Sequence, residues 1–333
     1  MKVSVIGAGS WGTALAQLLA SKGNNVGLWA RKATVIDSIN TNHVNPRYLS
    51  DIVLSENVVA TSAHRDTLLH ASAAVIVTPS SLMRGVAQAL SQVIDSNLPI
   101  IICSKGVEED SGLLPVEVFE SEAGNKDRLA VLSGPNHAEE VIKGIPAATV
   151  VASTSKETAE FFQQLFATDM FRTYTSNDIV GVELCAAFKN IIAIAVGLSY
   201  GIGFGDNTAA LLITRGLAEM SRLVKACGGN ALTCMGLAGA GDMIATCMSK
   251  HSRNRRFGEM LAQGQTIEDF TAQTHMVVEG AHACKTIQTL ARVHNVELPI
   301  TDVVRGVIWE DIDAKDAVQM LSDRPLTTEF WGM

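Results

Sequence analysis

The sequence predicts an α/β fold of two domains, in which a doubly wound parallel sheet at the N-terminus precedes an all-α domain. Three observations predict it: a glycine-rich turn between a strand and a helix, strand-like runs alternating with helical patterns, and a later change to long helices. The chain has 333 residues, of which 47% are hydrophobic, so it can form about two buried cores. We expect one domain over 1–178 and a second over 179–333.

The glycine-rich turn reads Gly7-Ala8-Gly9-Ser10-Trp11-Gly12. An apolar run of strand type, Val3–Ile6, precedes it, and a helical stretch, 13–20, follows it. This is the strand–Gly-x-Gly-x-x-Gly–helix pattern of a dinucleotide site, in which the glycines allow a tight turn, backbone approach to a pyrophosphate, and close packing of helix on strand. The anion would bind the unpaired N–H groups at the helix N-terminus. A glycine-rich turn that only lets a helix pack on a strand has the same pattern.

The first half alternates strands with helices. Helical patterns such as Met83–Ile94 and Thr158–Phe166 separate several of the strand-like runs, which are Val3–Ile6, Val26–Trp29, Ala74–Val77, Ile100–Cys103, Ala130–Leu132 and Ala148–Val151. The alternation predicts parallel strands with right-handed crossovers. Ligands then bind beyond the carboxyl ends of the strands, where the sequence has the Gly7 loop, 78–80, 104–106 and 133–136.

After about residue 178 long helical stretches replace the strands. They are rich in Ala, Leu, Ile and Met and cover roughly 180–199, 207–227, 242–263 and 276–293, with more helix near the C-terminus. We place the domain boundary near 177–180.

Composition excludes several classes of protein. The formal charge of −8 argues against nucleic acid or an anionic membrane as the main partner. The six cysteines have no C-x-x-C pair and the eight histidines no H-E-x-x-H motif, so we expect reduced thiols and no metal site. The N-terminal apolar run is too short for a signal peptide. The most apolar stretch, Leu184–Leu198, has Lys189 and Asn190 near its centre and is too short to span a bilayer, so we expect a cytoplasmic protein without membrane insertion.

The second strand-like run is followed by Arg31 and Lys32. Sites selective for NAD usually have an acid here for the ribose 2′-hydroxyl, whereas a guanidinium suits the 2′-phosphate of NADP. The pattern admits NADP and favours it. The alternative is a solvated basic turn.

Lys189 lies in an apolar helical stretch with no acid three or four residues away. Its side chain either extends to solvent or is partly buried, in which case a lowered pKa would suit it to proton transfer. Asn190 beside it can orient a ligand. Both readings of Lys189 stay open from the sequence.

A basic segment reads Ser249-Lys250-His251-Ser252-Arg253-Asn254-Arg255-Arg256. Guanidinium groups among hydroxyl and amide donors can bind a phosphate. On one continuous helix Ser252 and Arg256 would share a face that excludes Arg253 and Asn254, so these residues cannot all serve one site. A solvated basic helix face is the alternative.

Three further residues are ambiguous. Asp242, after Gly241, is placed either to cap the next helix or to bind a ligand. Lys105 follows a buried-type strand, at the sheet edge where cofactor and substrate would meet. His137 can be an ordinary loop histidine.

Taken together, the motifs resemble those of the bacterial NAD(P)-dependent glycerol-3-phosphate dehydrogenases, from end to end of the chain. The motifs that carry the resemblance, of which only the first is generic, are Gly7–Ala16, Ser104-Lys105-Gly106, Ser133-Gly134-Pro135, Ala187-Phe188-Lys189-Asn190, Gly241-Asp242, Ser252-Arg253-Asn254-Arg255 and Val277-Val278-Glu279-Gly280. The resemblance implies a Rossmann domain followed by a helical substrate and dimerisation domain, as in 6-phosphogluconate dehydrogenase. It also implies a homodimer.

The resemblance further implies reversible oxidation of sn-glycerol 3-phosphate to dihydroxyacetone phosphate with NAD or NADP, supplying the phospholipid backbone. It makes Lys189 the proton acceptor in oxidation and the donor in reduction, and Lys105 a candidate to polarise the reacting oxygen. By similarity the residues around the substrate are Lys105, Gly134, Asn136, Lys189, Asp242, Ser252, Arg253 and Asn254. Those that contact the cofactor, besides Gly7, Gly9 and Gly12, are Ser10, Trp11, Arg31, Lys105, Ala138, Arg253, Val277 and Glu279.

The chain departs from the family pattern at two places. Asn136-His137 stand where the family usually has Ser or Thr followed by Phe, and Phe188 stands where Leu is more common. Two other functions remain: a related two-domain dehydrogenase of another phosphorylated or carboxylated hydroxy compound, and a non-catalytic NADP-binding sensor with a helical dimerisation domain. The sensor leaves Lys189 and the Ser252–Asn254 run unexplained.

Overall fold

The structure is a computed structural model that describes residues 1–250, 252–274, 277–329 and 332. The chain divides into two compact units, of which the first comprises 1–105 and 115–179 and the second 106–114 and 180–333. The short segment 106–114 therefore groups with the second unit although it lies between elements of the first.

The first unit is built on one sheet flanked by helices. Its strands, within the described residues, are β1 (Lys2–Ile6), β2 (Asn25–Trp29), β3 (Val58–Thr61), β4 (Ala73–Ile76), β5 (Ile100–Ile102), β6 (Leu129–Ser133), β7 (Ala147–Ala152) and β8 (Phe171–Ser176). Its helices are α1 (Ser10–Ser21), α2 (Ala33–Asn42), α3 (His64–Leu68), α4 (Met83–Ser91), α5 (Pro115–Ala123), α6 (Ala138–Val141) and α7 (Lys156–Phe166).

The strand order is β3-β2-β1-β4-β5-β6-β7-β8. Neighbouring strands are parallel except for β6 and β7, which pair antiparallel through Val131–Ser133 and Val150–Ala152. The predicted α/β class is confirmed, but the prediction of an entirely parallel sheet is wrong at this pair. The connection from β6 to β7 contains only the four-residue α6, which is shorter than the usual crossover helix of a parallel pair.

The core of the first unit lies on both faces of the sheet. The central strands β1, β4 and β5 are buried almost throughout, as expected of parallel strands covered on both faces. Phe162, Phe166 and Phe171 add fully or nearly fully buried rings from α7 and β8. The carboxyl end of β1, which leads into the glycine loop, therefore belongs to a packed core.

The second unit is helical in its described residues. Its helices are α8 (Ile179–Ile202), α9 (Asp206–Ala226), α10 (Asp242–Met248), α11 (Arg253–Leu261), α12 (Ile267–Thr274), α13 (Glu279–Val293), α14 (Pro299–Trp309) and α15 (Ala314–Ser322). The continuous helix predicted over 242–263 is wrong, because α10 ends at Met248 and α11 begins at Arg253. Of the stretch predicted over 276–293, Met276 lies outside the described residues, as does His251 of the basic segment.

Helix α8 is the centre of the second unit. By length and composition it is apolar enough to cross a membrane, with a mean hydropathy of 2.0 in its best window, but 94% of that window is buried within the protein. The expectation that this stretch is too short to span a bilayer is therefore wrong, because the helix has 24 residues. The observation that characterises the helix is its burial among the other elements of the protein. Two glycines bring other helices onto α8: a Cβ on Gly258 would lie 2.1 Å from the Ile194 carbonyl oxygen, and one on Gly280 2.6 Å from that of Asn190.

Glu219 of α9 joins that helix to the start of α14. Its carboxylate accepts hydrogen bonds from the backbone N–H groups of Ile300 (2.7 Å) and Thr301 (3.3 Å) and from the Thr301 hydroxyl (3.3 Å). The side chain thus caps α14 from another helix. Complete burial raises its pKa to about 7, although these donors act in the opposite direction.

This pKa predicts that stability depends on pH. The native carboxyl holds its proton up to about pH 7, whereas an unfolded glutamate loses it near 4.5, so the native state binds more protons between these values. Glu219 therefore lowers the free energy of unfolding as the pH rises from 4.5 to 7, with a slope of up to about 1.4 kcal/mol per pH unit. In urea unfolding at several pH values, Glu219→Gln should remove this slope. Glu268→Gln, at an exposed position of α12, should keep it; equal slopes in wild type and Glu219→Gln would contradict the assignment.

Candidate active site

The glycine loop connects β1 to α1 and its conformation requires glycine at two positions. Gly7 has φ +123°, and a Cβ there would lie 2.6 Å from the Val77 carbonyl oxygen. A Cβ on Gly12 would lie 1.8 Å from the carbonyl oxygen of Gly7. The first contact sets the turn against the end of β4, and the second lets α1 pack directly on the loop.

The N-terminus of α1 is open at Gly9. A Cβ built on Gly9 meets nothing within 4 Å, and no side chain caps the helix at this residue. The N–H groups of the first turn have no partners within the helix, and the helix dipole places positive potential on them. Ser10 and Trp11 are partly exposed beside this opening. An uncapped N-terminus of a twelve-residue helix with space above its glycine fits a pyrophosphate, and thus a dinucleotide.

The end of β2 supplies positive charge and an aromatic pair. Arg31 and Lys32 are exposed, and the first acid after them in the sequence is Asp37 on α2. Trp29 stacks on His64 with ring centroids 4.5 Å apart, and its indole N–H donates to the Ser62 carbonyl oxygen at 2.8 Å. Burial lowers the pKa of His64, so the positive charge here near neutral pH belongs to Arg31 and Lys32.

Other predicted residues of the first unit follow β5 and β6. Lys105 is partly exposed, directly after Ser104, whose hydroxyl donates to the Thr78 carbonyl oxygen at 2.5 Å and so links the ends of β4 and β5. Gly134 is buried after β6, and Ala138 is the first residue of α6.

Asn136 is oriented by the sheet. Its Nδ2 donates to the Ala148 carbonyl oxygen at 2.8 Å, while its Oδ1 is buried without a hydrogen-bond partner among the described residues. The bond to Ala148 occupies the amide N–H of Asn136 and leaves its acceptor oxygen unsatisfied. A buried unsatisfied oxygen suits a ligand hydroxyl.

Lys189 of α8 is buried and paired in the second unit. Its Nζ lies 2.5 Å from Asp242 Oδ1 and 2.7 Å from Thr246 Oγ1, both on α10, and Lys189 is only 7% exposed. The reading in which Lys189 extends to solvent is therefore wrong. The reading of Asp242 as a helix cap is also wrong, because its carboxylate binds Lys189 and the preceding Gly241 belongs to the π-helical turn Leu237–Gly241.

Sequence reasoning missed Thr246. It is 5% exposed, its hydroxyl lies 3.4 Å from Asp242 Oδ1, and it follows Asp242 by four residues on the same helix. The spacing of four places both residues on one face of α10 and was the signal available in the sequence. Cys247 lies beside the cluster, and burial raises its pKa to about 12 although Lys189 acts to lower it. The thiol is therefore protonated, and the lysine, the acid and the hydroxyl carry the chemistry of this cluster.

The basic segment that begins at Ser249 spans the break between α10 and α11. Ser252 caps α11, with its Oγ accepting from the Arg255 N–H at 3.3 Å, and Arg253 is the exposed first residue of that helix. Arg255 instead serves the scaffold: its Nη1 donates to the Met248 carbonyl oxygen at 2.7 Å, and its guanidinium lies 4.7 Å from the Tyr200 ring centroid. The prediction that Ser252 and Arg256 lie on one face of a continuous helix is therefore wrong, because Ser252 precedes α11 as its cap.

Asn254 connects three helices. Its Nδ2 donates to Asn190 Oδ1 at 3.0 Å, and its Oδ1 accepts from the Gly280 N–H at 3.0 Å. Asn190 Nδ2 in turn lies 3.5 Å from Glu279 Oε2. The network orients Asn190, the neighbour of Lys189, and the partly exposed Glu279 at the start of α13. Val277, which precedes that helix, is exposed.

Comparison with known proteins gives consistent matches along the chain. Two family models match, described as the N-terminus and the C-terminus of NAD-dependent glycerol-3-phosphate dehydrogenase, over residues 2–159 and 178–319. A glycerol-3-phosphate dehydrogenase [NAD(P)+] of Clostridium perfringens is 45% identical over 323 residues, covering 97% of each chain. One from Bacillus cereus is 45% identical over 328 residues, covering 97% of this chain and 96% of its own.

Solved structures agree with these matches. The crystal structure of a glycerol-3-phosphate dehydrogenase from Coxiella burnetii has a TM-score of 0.92 at 38% identity, covering 97% of this chain and 99% of that one. A ketopantoate reductase from Ralstonia eutropha, at 16% identity and a TM-score of 0.62, shares the fold alone.

Proposed function

The chain belongs to the NAD-dependent glycerol-3-phosphate dehydrogenase family, and from this we infer that it is an NAD(P)-dependent oxidoreductase that interconverts sn-glycerol 3-phosphate and dihydroxyacetone phosphate. The observation that carries this inference, besides the family, is the buried cluster of Lys189, Asp242 and Thr246. Burying this pair costs several kcal/mol of desolvation per ion, in order of magnitude, and proton transfer during catalysis accounts for it, whereas the sensor alternative leaves it unexplained.

The cofactor fits the first unit. NAD or NADP, when bound, accepts or supplies the hydride. We assign its pyrophosphate to the glycine loop, supported by the uncapped start of α1 and the open space at Gly9. Further contacts follow from the family resemblance and are assigned to Ser10, Trp11, Arg31, Lys105, Ala138, Arg253, Val277 and Glu279. NADPH is the preferred form, because Arg31 and Lys32 stand where an acid would select NAD.

Lys189 exchanges the proton of the substrate. In reduction a hydride adds to C2 of dihydroxyacetone phosphate and the C2 oxygen takes a proton from Lys189 Nζ; in oxidation the proton returns. Asp242 supports the ammonium form electrostatically, and Thr246 fixes the direction of Nζ through its hydroxyl. Lys105 polarises the same oxygen as a second cation.

The phosphate of the substrate is assigned to the start of α11. Ser252 accepts the Arg255 N–H through its oxygen, so its own O–H stays available to donate, and Arg253 is exposed at the first turn. The helix N-terminus adds favourable potential for an anion. Asn254 contributes less freely, because both its oxygen and its nitrogen already bind neighbouring helices. Gly134 and Asn136 complete the substrate residues that we assign.

The cellular setting follows from the same family. We place the enzyme in the cytoplasm as a homodimer that supplies glycerol 3-phosphate for phospholipid synthesis, with dinucleotide binding in 1–178 and substrate binding and dimerisation in 179–333. The expectation of a reducing compartment comes from the sequence, in which the six cysteines form no paired motif.

Lys189→Met should abolish turnover, while the protein, although destabilised because the buried Asp242 loses its partner, still folds and binds NADPH. Loss of a general acid–base group typically lowers the rate about 10²–10⁴-fold. The measurement is NADPH absorbance with dihydroxyacetone phosphate, together with circular dichroism and NADPH binding. Lys225→Met, at an exposed position near the end of α9, is the matched control, and turnover of Lys189→Met within a few-fold of wild type would remove Lys189 from the mechanism.

Arg253→Ala should raise KM for dihydroxyacetone phosphate strongly, because it removes the exposed cation at the start of α11. Unphosphorylated dihydroxyacetone should be a poor substrate for both proteins, and the variant should lose much less with it. Arg256→Ala, an exposed arginine on the same helix, should change neither value. Equal losses with both substrates, at unchanged NADPH affinity, would show that Arg253 does not recognise the phosphate.

Arg31→Ala should weaken NADPH binding by roughly tenfold to a hundredfold and leave NADH nearly unchanged, because a charge-assisted contact to the 2′-phosphate is lost. The loss should shrink as salt rises, since an exposed pair is screened. Titration of nicotinamide fluorescence measures both affinities; the double variant with Lys32→Ala tests compensation, and Arg65→Ala on α3 is the control. If NADPH and NADH binding fall equally, Arg31 shapes the adenosine pocket without reading the phosphate.

A further inference from the structure

Asn45 lies in the connection between α2 and β3 and is completely buried. Its Nδ2 donates to the Ala8 carbonyl oxygen at 3.1 Å and to Thr13 Oγ1 at 2.8 Å. Its Oδ1 accepts from the backbone N–H groups of Arg47 and Tyr48, both at 3.2 Å. A residue more than thirty positions away thus binds the middle of the glycine loop and the first turn of α1.

The orientation of this amide is fixed by its partners. The Ala8 carbonyl can only accept and the two N–H groups can only donate, so exchanging the oxygen and nitrogen of Asn45 would break these bonds. The side chain uses both donors and both lone pairs, which is the full capacity of an asparagine. Aspartate lacks the donors, and alanine or serine is too short to reach both sides.

The bond to Ala8 determines where the next peptide points. In a planar trans peptide the C=O and the N–H point in opposite directions. Holding the Ala8 carbonyl toward Asn45 therefore turns the N–H of Gly9 to the other side, and this N–H has no acceptor in the part of the chain that the structure describes. Gly9 is also the residue with open space at its Cβ position.

We infer that Asn45 is a positioning residue of the dinucleotide site, which holds the Ala8–Gly9 peptide and the start of α1 in the conformation that presents their N–H groups to the pyrophosphate. This inference rests on the proposed function. Asn45 acts through the glycine loop and itself touches neither the reacting atoms nor the substrate. The same side chain holds segment 46–48 beside the loop through its two accepted bonds.

A second asparagine of the same connection region provides a matched control. Asn40 of α2 donates from Nδ2 to the Ala60 carbonyl oxygen (2.9 Å) and accepts the Ala60 N–H (2.7 Å), so it ties α2 to β3 by the same kind of bonds. It binds no residue of the glycine loop. Asn40→Ala therefore removes a comparable bridge within the same unit without disturbing Ala8 or Thr13.

The test compares Asn45→Ala with Asn40→Ala, starting from wild-type protein whose turnover and NADH affinity are established. Asn45→Ala should raise the Kd for NADH and for ADP-ribose about tenfold and leave KM for dihydroxyacetone phosphate, at saturating NADH, within about twofold. In hydrogen exchange of the unliganded protein, the amides of residues 13–16, the first that are hydrogen-bonded within α1, should exchange faster. Asn40→Ala should lower Tm and leave both the Kd values and those amides unchanged.

A milder pair of variants covers the case in which Asn45→Ala fails to fold. Thr13→Val removes the hydroxyl that accepts from Asn45 at nearly constant volume, and Thr13→Ser keeps it. The serine variant should retain wild-type NADH affinity and the valine variant should lose severalfold. Unchanged Kd in Asn45→Ala, or equal losses in Asn45→Ala and Asn40→Ala, would overturn the inference, whereas a wild-type protein that neither binds NADH nor reduces dihydroxyacetone phosphate would overturn the proposed function instead.

Discussion

The buried ion pair of Lys189 and Asp242 is the constraint that the packing of the helical unit has to satisfy. Both side chains are almost completely buried, and apart from Asn190 the residues of α8 next to the lysine are apolar. A buried pair is stabilised only when geometry and additional hydrogen bonds offset desolvation, and removing either partner leaves an uncompensated charge. Thr246 supplies one such bond at 2.7 Å. The helices that contribute these groups must therefore stay in register, and much of the packing of this unit serves that requirement.

Close helix packing meets the requirement. The glycines at 258 and 280 allow the backbones of α11 and α13 to approach α8 directly, and the Asn254 amide then bridges all three helices. A π-helical turn, Leu237–Gly241, leads directly into α10 at Asp242, and such turns are frequent at functional sites. The lysine, its acid and the start of α11 are thus fixed by backbone geometry more than by the charges themselves.

The sequence predicted the central strands and the long helices because burial on two faces leaves continuous apolar runs, as in β4 and β5. It missed β3 and β8, which lie at the two edges of the sheet. Buried and exposed positions alternate over the first part of β8, Phe171–Ser176, so this strand has no continuous apolar run. Ser252 was a visible cap signal for the break between α10 and α11, but the basic segment was read as one helix. The pairing of Lys189 with Asp242 spans 53 positions, so no local pattern contains it.

Neutral amides and charged groups have separate tasks in this chain. Asn45 and Asn254 fix backbone and side-chain geometry, and a neutral amide does this without adding charge beside an anionic ligand. The cations stand instead where phosphates and a reacting oxygen are assigned, at Arg31, Lys105 and Arg253. In a chain with a net charge of −8, these local cations create positive potential only at the sites, because charges farther away than about 8–10 Å are largely screened at physiological salt. Replacing a positioning amide by aspartate would therefore disturb geometry and field together, whereas replacing it by an apolar residue disturbs geometry alone.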